Sequence, residues 1–326
     1  MCARTSNDTQ NICVSSLNRI NVIPTCDYRL HVTVLIPVYN RESFIGDAID
    51  SVVAQDYQDW DILVVDDGST DRTVEIVNSK LSDDRISLIQ MSHRGLTAST
   101  ATGIEHARGP VITNLDSDDR LMTESLSTVL PAFEGNPRLG YVWTNWIDST
   151  GEKGASDFPL SGRTLFESLI SGWWGASAQR FYRKEFYLQS VRLDTSIQYA
   201  EDLQLALLLA KTGCDTLHIP KITYWRRIHQ HRMQNELSLD EQSKAMHQIR
   251  RRFVVGSPRL LDLYSAEMDK ERYMLRNELL FIKSCFGYKF MRLYGSMIDG
   301  ALPDGTRRGK LREKIVDRIR QSYRAD

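Results

Sequence analysis

The sequence lacks the features that mark secreted, disulfide-rich or membrane-spanning proteins. Its five cysteines include no Cys-x-x-Cys pair, so neither a disulfide framework nor a zinc knuckle is indicated. No apolar run approaches the roughly 18 residues that a membrane-spanning helix needs. The first residues also lack the apolar stretch of a secretory signal. These absences predict a soluble protein of the reducing cytoplasm.

The whole chain has no large excess of positive or negative charge, but its front and rear parts each have one. The net charge is −1, yet residues 1–220 carry 18 basic and 29 acidic side chains, whereas residues 221–326 carry 23 and 13. The acidic part is a poor surface for nucleic acid, so we expect no such partner, but it suits divalent cations. The basic part suits either anionic partners, such as diphosphates or lipid headgroups, or the acidic part of its own fold.

Short apolar runs alternate with segments of helical spacing after residue 31. The runs are residues 32–36, 61–65, 86–89 and 111–115, and the helical segments between them are residues 44–53, 69–80 and 96–107. Strands that alternate with helices of this length are typical of βαβ units. The sequence therefore predicts an α/β fold with a mostly parallel sheet flanked by helices.

Clustered carboxylates follow two of these predicted strands. Asp66 and Asp67 end the second, and Asp116, Asp118 and Asp119 end the fourth. Ligands of parallel sheets bind at the carboxyl ends of the strands, where both clusters would lie. On an extended segment Asp116 and Asp118 would point the same way, and such an oxygen-rich pair suits Mn²⁺ or Mg²⁺ shared with a diphosphate. A helix cap or a solvated turn is the alternative for an isolated Asp-Ser-Asp-Asp.

Four motifs in this region follow a recognisable order: Val-Leu-Ile-Pro-Val-Tyr-Asn at 34–40, Val-Val-Asp-Asp-Gly-Ser-Thr-Asp at 64–71, Gly95 with Gly103, and Leu-Asp-Ser-Asp-Asp at 115–119. In order and spacing they closely resemble the family-2 nucleotide-sugar glycosyltransferases, which have the GT-A fold. The resemblance covers about residues 32–150 and continues more weakly to about 233. It implies a nucleotide-diphosphate-sugar donor, usually UDP-linked, a divalent metal, and inversion at the anomeric carbon.

The resemblance and the residue patterns on either side of it divide the chain into three parts. Residues 1–30 would be an N-terminal arm, and residues 31–233 the GT-A domain, with a nucleotide-binding half up to residue 150 and an acceptor half from residue 151. Residues 234–326 have Leu, Met, Phe and Tyr at helical spacing among charged residues, which predicts a helical C-terminal region.

The resemblance also implies roles for single residues at the donor and the metal. Asp118 resembles the direct metal ligand, Asp116 a ribose- or metal-proximal acid, and His229 a further candidate ligand, whereas Asp119 would support them. Asp66 is favoured over Asp67 as the acid that contacts uracil, although the choice stays open. The full set for the nucleotide sugar is Pro37, Val38, Tyr39, Glu42, Asp66, Asp67, Arg94, Gly95, Asp116 and Ser117.

The candidate catalytic base lies further along the chain. Glu201 and Asp202 open a strong helical segment and are similar to the Glu-Asp pair of the family. This assigns Asp202 as the base and Glu201 as a second acid or a group that orients the acceptor. The alternative is that a helix N-terminus favours acidic residues through its dipole.

Two further groups carry both a functional and a structural interpretation. Arg226, Arg227, His229 and His231 are similar to a family segment near the diphosphate, which they would clamp, but they also fit a solvated strand end. Trp173 and Trp174 would stack on an acceptor sugar or lie in the core.

One departure from the family pattern motivates a rival function. Thr100 and Ala101 stand where the family commonly has Arg and Asn that support donor binding, and Arg94 would replace the lost cation. The rival is a nucleotide-sugar-binding partner subunit without catalysis. A nucleotidyltransferase would normally show a Gly-rich phosphate loop near the N-terminus, and none is present.

The last predicted helix is a candidate for contact with a membrane or with a second copy of the chain. Leu311, Ile315, Ile319 and Tyr323 lie four apart with basic residues between them. Such a helix either lies on an anionic membrane, which would place the protein at the inner face of the membrane, or packs on its own domain or a second copy in a homodimer. The acceptor would be a glycan or a glycolipid in polysaccharide, lipopolysaccharide or other glycoconjugate synthesis.

Overall fold

The computed structural model describes residues 30–154, 164–171, 179–229 and 239–266. Its strands are β1 (Val32–Val38), β2 (Trp60–Asp66), β3 (Ile86–Gln90), β4 (Val111–Asn114), β5 (Arg120–Leu121), β6 (Leu139–Asp148), β7 (Lys153–Gly154), β8 (Gln179–Arg183) and β9 (Asp215–Arg226). Its helices are α1 (Ile45–Val53), α2 (Thr73–Lys80), α3 (Leu96–His106), α4 (Ser125–Gly135), α5 (Leu165–Ile170), α6 (Lys184–Gln189), α7 (Glu201–Lys211) and α8 (Leu239–Val254).

One sheet joins all nine strands, in the order β3-β2-β1-β4-β8-β6-β9-β5, with β7 beside β6. The strands β3, β2, β1 and β4 are parallel, as the alternating pattern predicts. From β8 onward the sheet is mixed, because β8 runs antiparallel to both β4 and β6, whereas β6 and β9 are parallel. The parallel part aligns the carboxyl ends of β1, β2 and β4 at one edge.

Helices cover both faces of the parallel strands. Alternate residues of β1, from Val32 to Val38, pack into a core with the apolar stripes of α1 and α4 and with Val77 of α2. On the opposite face α3 packs against β1 so closely that a Cβ on Gly103 would lie 2.1 Å from Leu35 Cδ1. Because both faces are covered, every residue of β1 and β2 is buried.

Two element boundaries differ from the sequence-based expectation. Strand β1 continues through Pro37 to Val38 instead of ending at Ile36. A proline is tolerated there because pairing with β4 has already ended at Leu35, so that side of the strand needs no donor. Helix α2 begins at Thr73, and Asp71 Oδ1 accepts a hydrogen bond from the Thr73 amide, which holds the preceding turn.

The described residues fall into two compact units. The first contains the sheet with its helices, in residues 30–154, 179–229 and 239–246, and the second contains residues 164–171 and 247–266. Within the second unit Phe166 and Phe253 meet edge to face, and Arg250 Nε donates to the Leu169 carbonyl. Among the described helices, none is both long and apolar enough to cross a membrane.

Several sequence-based predictions lie outside the described residues. They concern the polar arm before residue 30, the stacking role of Trp173 and Trp174, the part of His231 in a diphosphate clamp, and the amphipathic segment 311–324.

Candidate active site

Three loops meet at the carboxyl edge of the parallel strands. Tyr39 and Asn40 follow β1, Asp66 and Asp67 lie at the end of β2, and Asp116 to Asp119 follow β4. Direct hydrogen bonds connect the first two loops, since the Asn40 amide donates to Ser69 Oγ and the Thr70 amide donates to Asn40 Oδ1. Asn40 has φ of 50°, a left-handed conformation that Asn tolerates better than most residues. The sequence correctly predicted that these segments share one edge.

An aromatic pair marks the side of the site next to β2. The Tyr39 ring, 39% exposed, stacks on His93 with ring centroids 4.1 Å apart. His93 Nδ1 lies 2.8 Å from Asp67 Oδ2. The Asp67 carboxylate also accepts hydrogen bonds from the amides of Arg94 and Gly95. Asp67 thus holds the loop that leads into α3, whereas both oxygens of the buried Asp66 face the Ser69 amide.

The other predicted donor residues lie around this edge with different exposure. Pro37 and Val38 are buried within β1, and Ser117 is buried in the loop after β4. Glu42 is exposed, and its Oε2 accepts from the Arg72 amide. The Arg94 side chain is exposed. At Gly95, with φ of 91°, a Cβ would clash with the side-chain amide of Gln198, which explains the glycine.

The three aspartates after β4 form a compact cluster. One carboxylate oxygen from each of Asp116, Asp118 and Asp119 lies within 4.8 Å of the others. The segment is a turn, closed by a hydrogen bond from the Asp119 amide to the Asp116 carbonyl, and not the extended segment that the sequence predicted. The prediction of one shared site is still met, because the turn rather than strand alternation gathers the oxygens.

The segment after β9 covers this cluster. His229 Nε2 lies 2.9 Å from Asp118 Oδ2. Two residues earlier, the Arg227 amide donates to Asp119 Oδ1, and Arg227 Nε donates to the Asp118 carbonyl. The structure therefore brings His229 to the aspartates across more than a hundred residues of sequence.

Two charged residues near this cluster lie outside the sequence motifs. Arg41 Nε lies 3.8 Å from Asp118 Oδ2, and Asp47 of α1 accepts a hydrogen bond from Arg227 Nη2. Arg41 directly follows the Pro-Val-Tyr-Asn motif, a position that could have drawn attention to it. No local signal marks Asp47, because its partner lies 180 residues away.

The donor set fits a divalent metal. Three carboxylates with a neighbouring imidazole are ligands that Mn²⁺ accepts readily, and the carboxylates alone suit Mg²⁺. The arrangement leaves the choice of metal open, because both ions prefer oxygen ligands.

A second acidic group lies at the start of α7. Ala200 adopts a left-handed conformation with φ of 58°, and the helix begins directly after it with Glu201 and Asp202. Glu201 is buried and Asp202 keeps part of its surface open. Arg180 Nη2 donates to Glu201 Oε1 at 3.0 Å. The predicted helix start is thus confirmed, and Glu201 is held by an arginine that lies outside every sequence motif.

Burial changes the acidity of this pair. It raises the pKa of Glu201 to about 8, with repulsion from Asp202 as the next cause and attraction to Arg180 opposing both. Burial likewise raises the pKa of Asp202 to about 6, against the opposing charge of Arg180. Near neutral pH the pair therefore shares one proton and one negative charge, the state that a general base needs.

The helix that departs from the family pattern is intact. Thr100 is completely buried in α3, and Ala101 is partly buried. A long cationic side chain at position 100 would have to fit the interior of this packing.

Comparison with known proteins identifies the domain. Residues 33–189 match the profile described as Glycosyl transferase family 2. These residues form a family-2 glycosyltransferase domain. GlyA of Streptococcus pneumoniae serotype 4 is 37% identical over 142 residues, 42% of this chain and 20% of GlyA. Chondroitin synthase of Escherichia coli is 29% identical over 203 residues, 61% of this chain and 29% of the synthase. The chain thus aligns with less than a third of the length of either relative.

Solved structures show the fold of the chain. S. aureus TarS 1–349 in complex with UDP-GlcNAc superposes with a TM-score of 0.59 at 18% identity, covering 80% of this chain and 78% of the TarS chain. The mannosyltransferase PcManGT from Pyrobaculum calidifontis, in complex with GDP-Man and Mn²⁺, superposes with a TM-score of 0.51 at 18% identity, covering 84% and 86%. The GT-A fold that the sequence predicted is confirmed.

Proposed function

We propose that this glycosyltransferase moves a sugar from a nucleotide-diphosphate donor to a hydroxyl group of a glycan or glycolipid, with inversion at the anomeric carbon. The observation that carries the proposal is that the Asp116-Asp118-Asp119 cluster lies on the same edge of the sheet as Tyr39 and Asp66. A cation site next to an aromatic ring and a buried acid suits a diphosphate that is attached to a nucleoside.

UDP is the proposed nucleotide. Asp66 would accept the imide N–H of uracil, and Tyr39 would contact the ring. Asp66 is favoured over Asp67 because the two oxygens of Asp67 accept from the amides of Arg94 and Gly95 at 2.8 and 2.7 Å, whereas those of Asp66 share the Ser69 amide at 3.2 Å. TarS with UDP-GlcNAc supports UDP, whereas PcManGT with GDP-Man keeps GDP as a candidate.

Mn²⁺ or Mg²⁺ is the proposed cofactor, held by Asp118 and Asp116, with His229 as a further ligand. When bound, the ion would act as a Lewis acid that neutralises negative charge on the diphosphate. Arg227 would keep the segment after β9 over the aspartates through its bonds to Asp118 and Asp119. The complex of PcManGT with Mn²⁺ supports this choice of ion.

Asp202 is the proposed general base. It would accept the proton of the acceptor hydroxyl while the hydroxyl oxygen bonds to the anomeric carbon and the bond from that carbon to the diphosphate oxygen breaks. A single displacement of this kind inverts the anomeric configuration. Glu201 would orient the acceptor or share the proton, as the raised pKa values of both acids allow.

The biological setting is proposed from the relatives alone. Similarity to a chondroitin synthase favours polysaccharide or other glycoconjugate synthesis. The cytoplasmic location, a contact with the inner face of the membrane, a homodimer and the domain boundary near residue 233 stay predictions.

The test is a screen of UDP-, GDP- and dTDP-sugars for nucleotide release, with Mn²⁺, Mg²⁺ or chelator, and with or without candidate glycans. We expect metal-dependent UDP release that an acceptor accelerates. UDP binding without release from any donor would instead support the non-catalytic binding subunit that Thr100 and Ala101 suggest.

A further inference from the structure

Arg180 is a buried arginine that neither the sequence motifs nor the proposed mechanism uses. It lies in β8, and only 3% of its side chain is exposed. Arginine is rarely buried to this degree without a specific partner, because the charge loses its hydration. The main chain is fixed, since β8 pairs with β4 and β6 and the Thr113 hydroxyl donates to the Arg180 carbonyl.

The guanidinium is directed at the candidate base pair. Its Nη2 donates to Glu201 Oε1 at 3.0 Å, and Glu201 directly precedes Asp202 in the first turn of α7. A rigid strand thus holds the start of a helix whose preceding residue, Ala200, has a left-handed backbone that costs free energy. The ion pair therefore fixes where the first turn of α7 begins.

Arg180 is also the positive member of a group of acidic side chains from four elements. Its charge acts on carboxyls of α7 and of the turn after β4 and on phenols of β6 and β8. These groups are Glu201, Asp202, Asp116, Tyr141 and Tyr182. The Tyr199 phenol interacts with the acids Asp202 and Glu201 of the same group. In low dielectric surroundings one arginine balances one negative charge of such a cluster.

We propose that Arg180 is a positioning residue for the general base: it holds the first turn of α7 through Glu201, and its charge keeps Asp202 ionised beside a bound acceptor. The inference rests on the proposed function, because it concerns the base of that reaction. It adds a residue that is 22 positions from Asp202 in sequence and belongs to a different element.

The simple variant Arg180→Gln would leave the one negative charge of the buried Glu201–Asp202 pair without compensation and endanger folding. The comparison is therefore between Glu201→Gln and the double variant Arg180→Gln/Glu201→Gln, in which an amide pair replaces the ion pair. Neither variant has a titratable group at position 201, so their difference reports the effect of Arg180 on Asp202. All measurements use the full chain with saturating Mn²⁺.

For transfer, we expect the double variant to have a kcat about tenfold or more below that of Glu201→Gln, with the donor KM within about twofold. The acid limb of the pH profile of kcat/KM should shift to higher pH by about one unit. Arg180→Lys/Glu201→Gln should return the limb toward its original position. An unchanged limb and kcat, or an effect on donor KM alone, would overturn the proposal.

Arg183→Gln/Glu201→Gln is the matched control. Arg183 lies in the same strand and donates to the backbone carbonyls of Leu139 and Phe133, which is a structural task. Its loss should lower the unfolding temperature without moving the acid limb. If both arginine variants moved the limb equally, the effect would come from general loosening and the proposal would be wrong.

A second measurement needs no donor. The pH dependence of urea unfolding, with and without Asp202→Asn in each background, gives the pKa of Asp202 by linkage. We expect this pKa to be about one unit higher without Arg180, and equal values would refute the assignment. If the wild type released no nucleotide from any donor, the proposed function would fail while this measurement still decided the role of Arg180.

Discussion

The acidic residues of the site fall into two groups, those near the polar and cationic partners of Asp118 and those whose pKa values burial raises. Asp118 meets His229 and Arg41, which are charged or polar partners that a cation could replace. Glu201 and Asp202 instead lie in surroundings where burial dominates, so their pKa values rise toward the range in which a base works. The same residue type is thus proposed for metal binding in one place and for proton transfer in another.

Replacement of the proposed base tests its role directly. Asp202→Asn should reduce kcat by about a thousandfold, because the amide accepts no proton, and leave UDP affinity within about twofold. In the wild type kcat/KM should fall as pH drops through about 6, because the carboxyl becomes protonated. Steady-state kinetics with calorimetric UDP titrations measure both. Asp84→Asn, an exposed carboxyl, should behave as the wild type, and near-normal turnover in Asp202→Asn would rule out this base.

The metal assignment makes a prediction that does not depend on turnover. Asp118→Ala should weaken Mn²⁺ binding, followed by electron paramagnetic resonance of the free ion, by about tenfold or more, because an anionic ligand is lost. Nucleotide release should fall in parallel. Asp84→Ala is the control. Equal Mn²⁺ affinity in wild type and Asp118→Ala would place the ion elsewhere.

At the scale of elements, close packing decides where α3 lies on the sheet. Gly103 lets the helix approach Leu35 of β1, and the N-terminus of the same helix is held by Asp67 through the Gly95 amide. The two glycines therefore connect the helix both to the sheet and to the candidate donor pocket. A shift of α3 would move the loop that carries His93 and Arg94.

Gly103→Ala tests this contact. The new methyl group would overlap the Leu35 side chain, so we expect a loss of about 1–2 kcal/mol in the free energy of unfolding despite the better helix propensity of alanine. Urea denaturation measures it. Gly135→Ala, at the end of α4 with nothing within 4 Å of the new Cβ, is the matched control and should be neutral or slightly stabilising. Equal effects of the two substitutions would show that packing at Gly103 is not tight.

At the scale of the whole molecule, the buried acids make stability depend on pH. A carboxyl whose pKa is raised on folding favours the folded state when it is protonated. That contribution is complete below the pKa of the unfolded chain and is lost as pH rises through the folded value. For Asp202 the window runs from about 4 to about 6. The two buried acids therefore lower the free energy of unfolding at the pH at which the site is proposed to work.

The difference in unfolding free energy between wild type and Asp202→Asn isolates this contribution. We expect the wild type to lose about 2 kcal/mol relative to the variant between pH 4 and pH 7, because the variant has no proton to lose there. Urea unfolding curves at pH 4, 5, 6 and 7 give the difference. Parallel stability profiles would mean that Asp202 titrates as it does in the unfolded chain.

The alternation of apolar runs and helical segments determined the parallel half of the fold, because local periodicity is enough to predict which residues a strand or helix buries. Motif order, combined with the rule that ligands bind at the carboxyl ends of parallel strands, correctly predicted that the loops after β1, β2 and β4 lie together. Even the helix start at Glu201 followed from its own sequence.

Only the tertiary structure decided how the later strands join the sheet and which distant charges meet. The mixed order of β8, β6 and β9 depends on pairing between segments far apart in the chain, about which local periodicity says nothing. For the same reason the contacts of Arg180 with Glu201 and of Arg227 with Asp47 had no signal in the sequence. A buried charge is understood through its partner, and the fold alone brings the partner to it.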